Sequence, residues 1–210
     1  MIIDVWSDVV CPWCFIGKKR LEKALEGFEH KEHITIRHRA FQLQPDAAQT
    51  LPTKELLATK YRISEAEVSA MQANVCAIAD GEGLCYNLED MLSGNTFDAH
   101  RLLLWAQTIG AQDALLTAMY SGYFEHSKAV FTHQDLCDIA QSVGISAVDA
   151  MNILESTQFS EEVIADRNLA EQLGASGVPF FVVDMKYGIS GAQPLEHFVE
   201  TINAAWSERA

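Results

Sequence analysis

The chain has 210 residues, 15 Lys+Arg against 29 Asp+Glu, a formal charge of −14 and a pI near 4.8. Its 49% apolar and 21% charged content is that of an ordinary globular domain, which excludes an intrinsically disordered chain. The acidity also excludes a binder of nucleic acid or of anionic lipid, since both need clustered Lys and Arg.

The opening MIIDVWSDVVCPWC has no basic n-region, and Asp4 and Asp8 interrupt its apolar run, so it does not read as a signal peptide. No stretch reaches the roughly 18 uncharged apolar residues of a membrane span. The expectation is a soluble, cytoplasmic protein. Ile2–Ser7 (IIDVWS) reads as a strand, CPWC follows at once, and Phe15, Ile16, Leu21, Leu25 and Phe28 recur along one helical face. Ile34–Phe41 (ITIRHRAF) alternates as a second strand. The intervening helix is long enough to make the two strands parallel neighbours.

From about Gln44 to Leu173 no convincing strand is visible. Helical patterns run over Thr53–Tyr61, Ser64–Ala79, Phe97–Thr108, Asp113–His126 and Thr132–Val143. Another starts near Ser146, and the last spans Ser160–Leu173. Ser64-Glu65-Ala66-Glu67 fits a capping box. Val178–Val183 (VPFFVV) returns to β, Asp184–Tyr187 turns, and Gly188–Ser190 is a short returning strand. Pro194 opens a last helix with Leu195, Phe198, Val199, Ile202 and Trp206 on one face.

The five cysteines are Cys11, Cys14, Cys76, Cys85 and Cys137. An odd number in an acidic chain does not make a disulfide framework. Cys11 and Cys14 are the informative pair. Positions i and i+3 of a helical turn share a face and fall within the Cα separation of about 4.4–6.8 Å that a disulfide needs. Cys11 stands at the helix start, where unpaired N–H groups and the dipole favour a thiolate, so it is the expected attacking sulfur. Pro12 suits the first helical position. Cys14, a turn further in, is the expected resolving thiol. CxxC is also half of a zinc site, but no second pair of ligands stands at matching spacing, so no metal is expected.

A strand, CPWC opening a helix, and a distant Val178-Pro179 before a strand resemble the thioredoxin superfamily, and the long helical insertion resembles its DsbA branch. Within it, Ser7-Asp8-Val9-Val10-Cys11-Pro12-Trp13-Cys14, Asn95-Thr96 with Ala99-His100-Arg101-Leu102, Gly177-Val178-Pro179-Phe180-Phe181 and Ser190-Gly191-Ala192-Gln193-Pro194 resemble FrnE-like proteins. The resemblance implies an α/β, thioredoxin-like fold. Residues 1–43 and 174–210 would form the thioredoxin-like domain, and 44–173 the inserted helical domain. It implies that Pro179 is a cis-proline facing the dithiol and that the Val178 backbone pairs with an extended substrate. Pro12 and Trp13 become redox-tuning residues. Asp8, three residues before Cys11, is a helix cap or a proton relay. Asn95 and Thr96 are candidate caps at an end of the insertion near the dithiol, and His100 borders the groove. Cys76, Cys85 and Cys137 read as packed thiols.

Three functions follow. The first is a thiol–disulfide oxidoreductase acting on protein or small thiol and disulfide substrates. It holds no tightly bound cofactor and has glutathione as a candidate redox partner. The second is a glutathione-dependent isomerase or kappa-like glutathione transferase, whose relatives typically keep a serine at this turn; both cysteines weigh against it. The third is a holdase using the groove around Trp13 and Pro179.

Overall fold

The computed structural model describes residues 1–209. Four strands form one sheet in the order β2-β1-β5-β6: β1 (Ile2–Ser7), β2 (Thr35–Ala40), β5 (Phe180–Val183) and β6 (Tyr187–Ser190). β1 and β2 are parallel, in the register Ile3↔Ile36 and Val5↔His38. They are joined by the crossover helix α1 (Pro12–Glu26). β5 runs antiparallel to β1, and β6 to β5. The β5–β6 hairpin turns through Asp184 (φ 48°) and Met185 (φ 56°), two successive left-handed residues that match the twist of a tight hairpin.

Strand alternation divides the sheet into two apolar faces. Ile3, Val5, Phe181 and Val183 pack under α1 and the last helix, α9 (Leu195–Ser207), against Leu21, Phe198 and Ile202. Trp6, Phe180 and Val182 point the other way and meet Ala170 of α8 (Ser160–Gln172). Polar contacts fix α8 there. Trp6 Nε1 donates to the Asp166 carbonyl at 2.7 Å, and the Asp166 carboxylate accepts from Ala40 N at 2.9 Å and Arg39 Nη1 at 3.0 Å. Asp4, buried in β1, accepts from both Arg37 and Arg39, so a carboxylate inside the sheet is fully paired.

Between β2 and β5 the chain forms α2 (Thr53–Tyr61), α3 (Glu65–Gly81), α4 (Phe97–Thr108), α5 (Gln112–His126), α6 (His133–Ser142), α7 (Ala147–Leu154) and α8. Leu102, Leu115, Met119, Phe124 and Leu136 centre their common core, and Cys14, Phe15 and Ile16 of α1 join it. Thus α1 is held between sheet and helices, with its first turn at their junction. The Ser64/Glu67 capping box forms as its sequence predicts. Arg101 is buried in α4, and its guanidinium donates to the carbonyls of Ile153, Leu154, Ser156 and Gln158, closing the end of α7. One element differs from expectation: a two-residue ribbon, β3 (Leu51–Pro52) with β4 (Leu92–Ser93), inside the helical stretch.

Candidate active site

β1 ends at Ser7, and one turn through Asp8–Val10 leads into α1. Cys11 is the N-cap residue, with extended backbone (φ −96°, ψ 111°) and its N–H donating to the Asp8 carbonyl at 3.1 Å; Pro12 takes the first helical position. The Cys11 thiol donates to the Val178 carbonyl at 3.6 Å. Cys11 and Cys14 approach within 3.3 Å, both as free thiols. Cys14 is fully buried, and burial pushes its thiol well above the ordinary value. The neighbouring Cys11 adds to that rise, while the Asp8 backbone N–H works against it.

The Val178–Pro179 bond is cis, as the resemblance implied. Pro179 rests on α1 one turn beyond Cys14, at Gly17. A Cβ there would lie 3.1 Å from Pro179 Cγ and 3.0 Å from Phe181 Cζ. Any side chain there would require Pro179 and Phe181 to shift by a few tenths of an ångström, so glycine eases this approach of the cis-proline loop. Gly17 is therefore part of the site, although sequence reasoning passed over it.

A second such residue is Tyr86. Its hydroxyl donates to the Pro12 carbonyl at 2.7 Å, tying the CPWC turn to the helical lobe. Its ring stacks with Phe15 and, at 5.0 Å, with Phe124. Burial, and after it the charge of Cys11 and Cys14, pushes the phenol far above its usual range, so it stays a neutral donor.

Behind the dithiol, Asp8 is buried, its Oδ2 accepting from Leu43 N at 2.7 Å. Its Oδ1 lies 3.4 Å from Nε2 of the equally buried His100, not aligned for a hydrogen bond. Among the described residues neither atom has another partner. His100 thus faces Asp8 and does not line the groove, because α4 turns that face inward. Asn95 and Thr96 do not line the groove either. Asn95 Oδ1 accepts from Phe97 N at 2.8 Å, capping α4, and from Gln42 Nε2 at 2.8 Å. Thr96 holds the N-cap position with no side-chain cap bond. Asn95 Nδ2 also binds the Pro45 carbonyl, so its effect on the site runs through the 42–45 segment.

A groove of about 380 Å³ opens beside the dithiol, with Cys11, Trp13, Leu57, Met71 and Val178 in its walls. A more open one of about 520 Å³ follows the free edge of β2 and contains no cysteine. Cys76 is half-buried, Cys85 exposed and Cys137 buried, and each is a free thiol. Among the described residues no group of three or more His, Cys, Asp or Glu is placed to hold a metal ion.

Residues 2–203 match the DSBA-like thioredoxin domain. A probable DsbA oxidoreductase from Streptomyces coelicolor is 42% identical, with a TM-score of 0.96, the match covering 100% of this chain and 92% of that one. A 2-hydroxychromene-2-carboxylate isomerase shares the fold at 15% identity and a TM-score of 0.72, over 100% and 98% of the two chains. So does the cytosolic disulfide reductase DsbM from Pseudomonas aeruginosa, solved with GSH, at 13% identity and 0.67, over 99% and 100%. Nearly the whole length being matched, the chain belongs to the DSBA-like thioredoxin domain family, a family of thiol–disulfide oxidoreductases.

Proposed function

We propose that the chain exchanges disulfides through Cys11 and Cys14, with Cys11 as nucleophile. The observation that carries this is the contact of a helix-capping sulfur with a buried one at 3.3 Å, beside the cis Val178–Pro179 bond. Free N–H groups of the first turn stabilise negative charge on Cys11. Burial keeps Cys14 a thiol until it is needed.

In the reducing direction the Cys11 thiolate attacks one sulfur of a substrate disulfide. The other sulfur leaves as a thiolate and takes a proton. Cys14 then loses its proton and attacks Cys11 Sγ, releasing the second substrate thiol. Two electrons have passed to the substrate, and Cys11–Cys14 is a disulfide. A soluble thiol restores it, and glutathione is the candidate. The reverse sequence oxidises a substrate dithiol. Asp8 and His100, with unpartnered atoms facing each other behind Cys14, form the relay that receives the Cys14 proton. Pro12 and Trp13 tune the couple. The Val178 backbone aligns the substrate.

Residues 1–43 and 174–210 carry the chemistry, and 44–173 supply the far wall of the groove. No helix among the described residues is long and apolar enough to cross a membrane. We place the protein in the cytoplasm, the compartment named for DsbM. There a reducing pool favours reductase or isomerase turnover. Thiol- or disulfide-bearing proteins and small molecules are the substrates, with no nucleic-acid or membrane partner.

The test is a pair of variants. Cys11→Ser must abolish exchange with a peptide disulfide, and Cys14→Ser must still attack but stop at a covalent peptide adduct on Cys11, seen by mass. Turnover persisting in Cys11→Ser, or adducts forming on another cysteine, defeats the assignment. Glutathione-dependent turnover surviving in Cys14→Ser would favour the isomerase or transferase alternative.

A further inference from the structure

We infer that the cleft along the free edge of β2 is a second ligand site, which takes a neutral, largely apolar ring compound by a cyclic-amide edge bound to Ile36 N–H and C=O. It lies apart from the dithiol and stands independently of the disulfide chemistry proposed above.

The strand edge supplies the polar contact. Thr35 N donates to the Met1 carbonyl at 2.9 Å, so Thr35, Arg37 and Arg39 turn their backbone groups to β1, and Ile34, Ile36, His38 and Ala40 turn theirs outward. Most of the outward groups are already met. Ile34 N donates to the Lys31 carbonyl at 3.1 Å, and Ala40 N to Asp166 Oδ2 at 2.9 Å. The Gln112 carboxamide takes both groups of His38. Its Oε1 accepts from His38 N at 3.2 Å, and its Nε2 donates to the His38 carbonyl at 2.9 Å. At Ile36 both the N–H and the C=O are without a partner among the described residues. An unmet donor and acceptor on one extended residue are matched by an amide that carries its N–H and C=O on the same side. The Gln112 contact shows such an amide seated two residues along the same edge. A single trans peptide group holds the two on opposite sides and does not match. An added strand, from another protein or from a second copy, would have to continue past His38 and Ala40, where the outward groups are taken.

The cleft supplies the rest. Its volume of about 520 Å³ lies within the range of ligand sites, about 300 to 1,000 Å³, and Val5, Leu21, Ile34 and Ile36 give it apolar walls. Its charged groups are spent on one another. Lys18 Nζ pairs with Glu22 and, at 2.9 Å, with Asp113 Oδ1. His38 Nε2 lies 3.1 Å from the same Asp113 oxygen, and Arg37 binds Asp4 through two nitrogens. Each lining cation already has a carboxylate and each lining carboxylate a cation, so the ligand that fits is neutral.

The experiment titrates the full chain, isotope-labelled, with hydrocarbostyril, a lactam fused to a benzene ring, and follows the Ile36 amide by NMR. Saturable movement of that amide is expected. The N-methyl analogue keeps the rings and the carbonyl but cannot donate to the Ile36 carbonyl, so it should bind at least about ten-fold more weakly. That comparison is made in wild type and needs no variant. Ile34→Glu, which sets a carboxylate in the apolar wall, should weaken hydrocarbostyril to a similar degree, while the volume-conserving Ile34→Leu should hold it. Both variants should keep the wild-type amide spectrum away from the cleft. Equal affinity for the two lactams overturns the inference, as does an Ile36 amide that stays still, or hydrocarbostyril binding untouched by Ile34→Glu. Naphthoate binding more tightly than hydrocarbostyril would make the cleft an anion site and overturns it too. Protection of Ile36 N–H from hydrogen exchange that grows with protein concentration would give the edge to a second copy, and does the same.

Discussion

Replacing Tyr86 by Phe removes one oxygen and leaves the aromatic stack with Phe15 and Phe124 in place. What is lost is the 2.7 Å hydrogen bond to the Pro12 carbonyl. A neutral hydrogen bond contributes about 0.5–1.5 kcal/mol net, and a stranded buried acceptor costs about 1–3 kcal/mol. Pro12 is only partly buried, so water can reach its carbonyl, and the loss should fall near 1 kcal/mol. For a chain of this length that lowers Tm by about 2–4 °C. The phenol stays neutral under its raised pKa, so the loss should be flat across neutral and mildly alkaline pH. Closing the disulfide moves two sulfurs already 3.3 Å apart and leaves the Pro12 carbonyl in the helix, so both redox states should lose equally. The reduction potential of the couple then stays within about 10 mV, given that about 30 mV corresponds to 1.4 kcal/mol. Urea unfolding of the oxidised and reduced protein, with a potential measured against a thiol buffer, checks each part. No measurable loss of stability would show that the bond does not tie the turn to the lobe. A shift well above 10 mV would show that the hydroxyl acts on the sulfurs themselves.

In the reduced protein the folded Cys14 thiol titrates above an unfolded value of about 8.5, so its contribution is complete below that pH and is lost as pH rises beyond it. The unfolding free energy of wild type should therefore fall more steeply above about pH 8.5 than that of Cys14→Ala; parallel profiles would contradict it. Gly17→Ala adds a methyl 3.0–3.1 Å from Phe181 and Pro179, an overpacking cost of about 1–3 kcal/mol against a helix gain of about 1 kcal/mol. It should slow disulfide exchange, whereas Gly27→Ala, with no atom within 4 Å of its added carbon, should not; equal rates in both would remove Gly17 from the site. Asp8→Asn should slow Cys14 attack on a preformed mixed disulfide by about 100-fold, read by rapid quench. Slowing of the first attack by Cys11 to the same degree would refute the relay.

Much of the fold is readable because it rests on local patterns. The alternation in IIDVWS and the 3.6-residue recurrence after CPWC each encode one element. Ser64 and Glu67 write a helix start into four residues. The β3–β4 ribbon escapes because two residues have no period. It is held by contacts the sequence does not display, Thr53 N to the Met91 carbonyl at 2.8 Å and the Thr53 and Ser93 hydroxyls at 3.0 Å. The seating of α8 on the sheet is hidden for the same reason, since Asp166 finds its partners 126 residues away in Ala40 and 127 away in Arg39.

At the site, the dithiol is legible because its chemistry depends on a spacing of three residues within one turn. Pro179 is legible because it stands in a motif. Asn95, Thr96 and His100 belong to a recognisable motif too, but a motif does not say which way a helix face turns. Here α4 presents His100 inward, to Asp8. Tyr86 lies 74 residues from Pro12 in a loop without periodicity, and nothing in its neighbourhood announces the contact. Gly17 did leave a signal. A glycine inside a helix costs about 1 kcal/mol relative to alanine, so one standing three residues beyond Cys14 hints at close packing, which here comes from the Pro179 and Phe181 side chains. Leu43, Tyr61 and Met71 give no such signal, and only the fold shows them around one groove beside Cys11.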